Sequence, residues 1–259
     1  MMDISIKNVS FSYTPDVKAL DDVSIKIKAG DFCGIIGPNG SGKTTMLKCI
    51  SGYHKPQIGD ILLSGKNVHS FSTKEIARTM ALVQQHFALE YDFTVMEIVL
   101  TGRNPHIKRL QSETSNDYDI ANEALKRAQV YHLKDRQITT LSGGEWQRMI
   151  LARALCQQAS IMLLDEPVTG LDIKHQVSLM STAKRLATEE EISVVCVLHD
   201  LNLAYNYCNK IALLKSGKLF KFGNSKEVLT TENLEYVYET KINIIENNGE
   251  TFILPVYNK

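Results

Sequence analysis

The chain has 259 residues, with 29 Lys+Arg against 29 Asp+Glu, 44% hydrophobic and 22% charged residues, a composition ordinary for a globular protein of one large domain or two smaller ones. Six Pro and 15 Gly are too few for a disordered or fibrous chain, and zero formal net charge argues against a nucleic-acid backbone as the main partner. No apolar run approaches the ~20 residues that span a bilayer.

The N-terminal stretch Met1–Ser10 carries Asp3 and Lys7 where a secretion signal would have an apolar core. Ile4, Ile6, then Val9, Phe11 and Tyr13 recur at near period two, and Val23, Ile25 and Ile27 do so cleanly, which predicts two strands. Phe32–Ile36 is a continuous apolar run closed by Gly37 and Pro38, the pattern of a strand buried on both faces. A helix is predicted from Lys43 to about Ile50, and Ser72 with Glu75 forms a capping-box pattern ahead of a short helix.

From about Thr94 to Gln158 the periodicity is helical (Val95, Ile98, Val99; Ile120, Ala124, Leu125, Ala128), which predicts a mostly helical insertion. Strand-like runs return at Ile161–Leu164, Ile192–Leu198 and Lys210–Leu214. Helical segments separate them, with Ile173, Val177, Met180 and Ala187 on one stripe and a second segment at Leu201–Tyr207. This alternation predicts a parallel α/β core. A helix near Glu232–Tyr238 and a hairpin of Ile242–Ile245 with Phe252–Leu254, turning at Asn247, Asn248 and Gly249, complete the chain. Cys33, Cys49, Cys156, Cys196 and Cys208 are scattered and odd in number, as expected of buried thiols in a reducing compartment; the seven His show no metal-ligand spacing. The cytoplasm is the default compartment.

Gly37-Pro38-Asn39-Gly40-Ser41-Gly42-Lys43-Thr44 fits G-x-x-x-x-G-K-[ST] at every fixed position, between a buried strand and a helix. Glycines let the backbone curl so that successive N–H groups point into an anion-binding concavity. The helix N-terminus adds partial positive charge. Lys43 is placed to reach β- and γ-phosphates and the Thr44 hydroxyl to ligate Mg²⁺, which makes the segment a nucleoside-triphosphate site. Thr45 continues the same turn.

Ile161-Met162-Leu163-Leu164-Asp165-Glu166 is an apolar strand ending in two acids. Ligands of parallel sheets gather at strand carboxyl ends, so Asp165 is expected beside the phosphate loop as a Mg²⁺ ligand. Glu166 is then placed to orient or deprotonate a water. Leu141-Ser142-Gly143-Gly144-Glu145 precedes an amphipathic helix, with Ser142 and Glu145 in a capping-box pattern. Its glycines leave first-turn N–H groups open, a second anion-binding helix end that one subunit does not need for the triphosphate already held.

The glycine loop, Leu-Ser-Gly-Gly-Glu, the Asp-Glu pair and a later His, in that order over nearly the whole chain, resemble the ATP-binding subunits of ABC transporters. The resemblance implies a P-loop NTPase core: a RecA-like parallel sheet, an antiparallel N-terminal β subdomain and an inserted α-helical subdomain. The whole chain 1–259 is then a single cassette, with 1–88 and 160–259 as the catalytic α/β core and about 89–159 as the helical signature subdomain. It implies a head-to-tail pair of copies, in which Ser142, Gly143, Gly144, Glu145 and Asp172 of one serve the ATP of the other. It further implies Tyr13 stacking on adenine, Gln85 (with Gln84 as the alternative register) touching Mg²⁺ and water, and His199 contacting the γ-phosphate. Lys43, Glu166 and His199 become the catalytic set; ATP and Mg²⁺ become the cofactors.

Thr94–Val99 followed by Thr101-Gly102-Arg103-Asn104-Pro105-His106, and Leu141–Arg148 with Trp146, are similar to subunits that serve iron–siderophore, haem, cobalamin and related metal-chelate importers. The implied partners are polytopic membrane permease subunits and, indirectly, an external substrate-binding protein, with the chain peripheral at the cytoplasmic face of the membrane and no nucleic acid bound. The alternative is a soluble ABC-type ATPase acting on ribosomes or nucleic acid. Such proteins carry paired cassettes, coiled-coil insertions or basic arms, and none is visible here.

Overall fold

The computed structural model describes residues 2–83, 92–108, 110–247 and 250–256. Gln84 and Gln85, and the turn residues Asn248 and Gly249, lie outside the described residues.

Strand β1 (Ile4–Thr14) pairs antiparallel with β2 (Val17–Ile27). The skip from Ile6 to Val9 in its apolar pattern is a register shift at the pairing, with Asn8 at φ 48°. The predicted buried strand is β3 (Phe32–Ile36), followed by α1 (Lys43–Ile50). Next come β4 (Ile58–Leu63), β5 (Lys66–Asn67), α2 (Thr73–Thr79) and β6 (Met80–Val83). Ser72 and Glu75 form the expected capping box on α2. The helical stretch holds α3 (Val95–Leu100), α4 (Ser115–Arg127) and α5 (Gly143–Cys156), with one 3₁₀ turn between the first two and two between the last two. The chain returns through β7 (Ile161–Asp165), α6 (Ile173–Glu190), β8 (Ser193–Val197), α7 (Leu201–Tyr207) and β9 (Lys210–Lys215). It ends with β10 (Lys218–Asn224), α8 (Ser225–Val228), α9 (Thr231–Tyr238) and the hairpin β11 (Ile242–Asn247) and β12 (Glu250–Pro255).

The strands form an antiparallel sheet in the order β2-β1-β4-β5 and a six-stranded sheet in the order β10-β9-β3-β8-β7-β6. In the latter all pairs are parallel except β10 with β9 at one edge. The continuous apolar runs alternate strictly between two cores. Phe32, Ile36, Met162, Leu164, Val194, Cys196, Ile211 and Leu213 face helices α3 to α7 and α9. Cys33, Ile35, Ile161, Leu163, Val195, Val197, Ala212 and Leu214 face α1 and the antiparallel sheet. A strand covered on both faces must be apolar at every position, which is why period-two patterning is lost in these runs.

One expectation needs correction. The α6 stripe is buried at Met180 and Ala187, but Ile173 is 79% and Val177 44% exposed. The buried residues of α6 begin at Leu179, so its first turns have no apolar cover from their own chain among the described residues. Strands β4 and β10 were not visible in the sequence. Only Ile61 and Leu63 of β4 are buried, and no residue of the edge strand β10 is.

Candidate active site

The sheet order places four carboxyl ends side by side. Strand β3 leads into the glycine loop and lies between β9 and β8, so the loop opens at the point where the connections diverge. Beyond β8 comes His199, and beyond it, at the end of β7, come Asp165 and Glu166. Strand β6, next to β7, ends at Val83 on the same side of the sheet.

A cleft of about 320 Å³ over this edge is lined by Tyr13, Asn39, Gly40, Ser41, Gly42, Lys43, Thr44, Thr45, Glu166 and His199, together with Val17, Lys18 and Ala19 of β2. Gly42 takes φ 98°, and a Cβ there would stand 2.4 Å from the Ala19 carbonyl oxygen, so only glycine lets the loop pass β2. Lys43 is buried and donates to the carbonyl oxygens of Gly37 and Pro38 at 2.8 and 2.9 Å, bridging the loop. Burial lowers its pKa, opposed by the charges of Glu166 and Asp165. The Ser41 hydroxyl is buried without a hydrogen-bond partner. An orphaned hydroxyl at a loop of glycine N–H groups fits a phosphate, which supplies the missing partner.

Thr44 Oγ1 donates to Asp165 Oδ1 at 3.5 Å. Burial, and then the charge of Glu166, raises the Asp165 pKa. Among the described residues no three His, Cys, Asp or Glu side chains converge to hold a metal by themselves. Two hard oxygen donors with room for phosphate oxygens and water fit Mg²⁺, which keeps much of its water shell. Glu166 Oε1 lies 2.6 Å from His199 Nε2, and Glu166 sits at φ 50°. A non-glycine residue held in the left-handed region costs on the order of 1–3 kcal/mol. The surrounding strand ends therefore hold its backbone in place, and the His199 contact orients its carboxylate.

Tyr13 is 58% exposed at the rim. Its hydroxyl is 3.3 Å from Thr45 Oγ1 and 3.2 Å from His54 Nε2. His54 stacks on Phe11 with ring centroids 4.7 Å apart and meets Tyr13 edge-on at 5.3 Å. This aromatic shelf could not be read from the sequence, because a lone His beyond α1 carries no spacing signal.

Ser142, Gly143, Gly144, Glu145 and Asp172 do not line this cleft. Ser142 caps α5 as predicted: Ser142 Oγ accepts from Glu145 N at 3.3 Å, and Ser142 N donates to Glu145 Oε2 at 2.7 Å. Arg136 stands 3.6 Å from Glu145. Asp172 caps α6 and keeps a 64% exposed side chain. The Thr101–His106 segment is built into the helical stretch. Arg103, buried, donates to Asp117 Oδ1, to the Cys156 carbonyl and to Gln158 Oε1, each at 2.9 Å. His106 Nε2 is 2.8 Å from the Gln157 carbonyl.

The profile of the ABC transporter family matches residues 20–169. The chain belongs to the ABC transporter ATP-binding family. The cassette is 36% identical over 238 residues to the ferric enterobactin transport ATP-binding protein FepC of Escherichia coli, covering 91% of this chain and 88% of the relative. It is 37% identical over 225 residues to the cobalamin import ATP-binding protein BtuD of Halobacterium salinarum, covering 87% of this chain but only 56% of that longer relative. A transporter described as of the metal-chelate type, solved in an inward-facing conformation, superposes with a TM-score of 0.87 at 29% identity, covering 99% and 98% of the two chains. The cassette MJ0796, solved as a dimer with ADP and phosphate, superposes with a TM-score of 0.74 at 30% identity over 86% of this chain and 98% of its own. The chain is therefore an ATP-binding ABC ATPase with the cassette fold. No helix among the described residues is long and apolar enough to cross a membrane.

Proposed function

We propose that this cassette is the ATP-hydrolysing subunit of an uptake system for a metal-chelate substrate: an iron–siderophore complex, haem, cobalamin or a related compound. The full-length likeness to a metal-chelate type transporter carries this reading, and the import proteins for petrobactin and hemin among its relatives support it.

Two copies close head to tail over two ATP molecules. Lys43 and the glycine loop bind the phosphates, and Tyr13 carries the base. Ser142, Gly143, Gly144, Glu145 and Asp172 of the facing copy complete the site. Three features support the sharing: the signature residues lie outside the cleft of their own chain, Ile173 and Val177 form an uncovered apolar face beside Asp172, and MJ0796 was solved as a dimer.

Thr44 and Asp165, with Gln85, would hold Mg²⁺, which would neutralise charge on the β- and γ-phosphates. Glu166 takes the proton of the attacking water, and His199 orients that carboxylate and then donates to the transferring phosphoryl. Residues 1–88 and 160–259 act as the catalytic core, with 89–159 as the helical unit that follows the closure. A groove of about 720 Å³ is lined by Tyr53, Ile76, Ala77, Met80, Leu82, Arg153 and Gln157. We assign this groove to a cytoplasmic helix of a permease, a contact that would hold the chain at the inner membrane face. Co-expression with a polytopic membrane protein encoded beside it tests the reading. Co-purification and ATPase stimulation by a metal chelate are expected; an ATPase that binds no membrane protein and responds to no chelate overturns it.

A further inference from the structure

Asp172 and Gly144 belong to different elements, the cap of α6 and the first turn of α5, and one side chain joins them. His175 lies in the first turn of α6. Its backbone N–H donates to Asp172 Oδ1 at 2.9 Å, and its ring Nδ1 lies 2.9 Å from Asp172 Oδ2. A carboxylate only accepts, so Nδ1 carries the proton in this contact. Both oxygens of Asp172 are thus held by a single residue, although the side chain is 64% exposed.

The rest of the ring rests on the signature turn. A Cβ built on Gly144 would stand 2.8 Å from Cγ and 2.8 Å from Nδ1 of His175, and 3.0 Å from Cε1. No real Cβ approaches that closely, so the imidazole occupies the place of a Gly144 side chain. At Gly143 a Cβ would meet nothing within 4 Å. The two adjacent glycines therefore have separate reasons: Gly143 keeps the helix end open, and Gly144 makes room for His175. The His175 side chain is only 24% exposed, closed in by these two neighbours.

We propose that His175 is a positioning residue that locks the Asp172 carboxylate to the first turn of the signature helix, so that the two groups one copy presents to the other's ATP move as one rigid unit. This rests on the shared-site reading above. The lock sets no contact with the chain's own glycine loop. Its effect is confined to ATP bound by the facing copy, and a misplacement of about 1 Å at such a site is enough for large losses.

The test uses the full chain carrying Glu166→Gln, with the ATP concentration for half-maximal dimer formation read by analytical ultracentrifugation. Adding His175→Ala is expected to raise that concentration tenfold or more, while ATP affinity of the monomer stays within about twofold. His175→Asn, which can still donate to Asp172, recovers part of the loss. Mixed dimers then separate positioning from general damage, with Lys43→Ala silencing one glycine loop. With Lys43→Ala and His175→Ala on opposite chains, the surviving ATP faces an intact His175, and dimer formation is expected at the lower ATP concentration. With both substitutions on one chain, the surviving ATP faces the altered residue, and the concentration rises. Equal behaviour of the two mixtures, or a His175→Ala protein that dimerises like its parent, overturns the proposal alone. A Glu166→Gln parent that stays monomeric at saturating ATP overturns the shared-site reading and the proposal with it.

Discussion

Arg103→Ala removes one partner of a buried ion pair. Arg103 and Asp117 side chains are 6% and 9% exposed and 2.9 Å apart, and the same guanidinium holds the Cys156 carbonyl and Gln158. Deleting one partner of such a pair costs about 3–5 kcal/mol, because the other charge is left buried. For a domain of this size each kcal/mol moves Tm by about 2–4 °C, so a fall of roughly 6–20 °C is expected. Hydrogen bonds from Thr114, and then Arg103, hold the Asp117 carboxyl at about 2. A lowered carboxylate pKa gives stability that is present above the unfolded value near 3.9 and is lost as pH falls through about 2. Wild type therefore loses its advantage in that window, and the gap between wild type and variant narrows from pH 4 downward. Thermal and urea melts at pH 7 and pH 3 measure both effects. Adding Asp117→Asn removes the stranded charge and restores part of the loss. A deficit under about 1 kcal/mol at pH 7, or no recovery by Asp117→Asn, would refute the reasoning.

Other substitutions probe the site. Ser142→Arg is expected to abolish hydrolysis while leaving ATP affinity of the monomer unchanged, as nucleotide titration would read; lost affinity in the monomer would place the signature helix over its own ATP. Asp165→Asn is expected to raise the melting temperature of nucleotide-free protein by a few degrees and to weaken Mg²⁺-dependent ATP binding. The sign follows from burial, which raises the Asp165 pKa. A carboxyl of raised pKa destabilises the fold once pH exceeds its ordinary value, so the gain is largest at neutral pH and vanishes below about pH 4. A lower melting temperature for Asp165→Asn at pH 7 would contradict this.

The glycine loop, the acids after β7 and the caps on α2 and α5 were legible because their reasons are local: turns, cap bonds and strand ends written in consecutive residues. Strands β3, β7, β8 and β9 were legible from apolar runs alone, whereas the short β6 was not. The exposed start of α6 was not, since Ile173 and Val177 fit a helical stripe whether their cover comes from the same chain or from another. Nor were His54 and His175, whose meaning lies in contacts with Phe11 and Tyr13 and with Gly144, 31 to 43 residues away in the sequence. Arg103 stood inside a recognisable motif, but only the fold reveals that it is a buried strut and not a surface contact.

The account centres on ATP bound between two copies and hydrolysed at Glu166, 2.6 Å from His199. Glu166→Gln preserves shape and removes the base, and loss of a general base slows a reaction about 10²- to 10⁴-fold. The decisive measurement is the solution mass of that variant with and without Mg-ATP, alongside its phosphate release. The account predicts a monomer that doubles its mass on ATP and releases phosphate at least a hundredfold more slowly than wild type, a barrier higher by roughly 3 kcal/mol or more. A variant that turns over ATP at the wild-type rate, or that never doubles its mass, would contradict it.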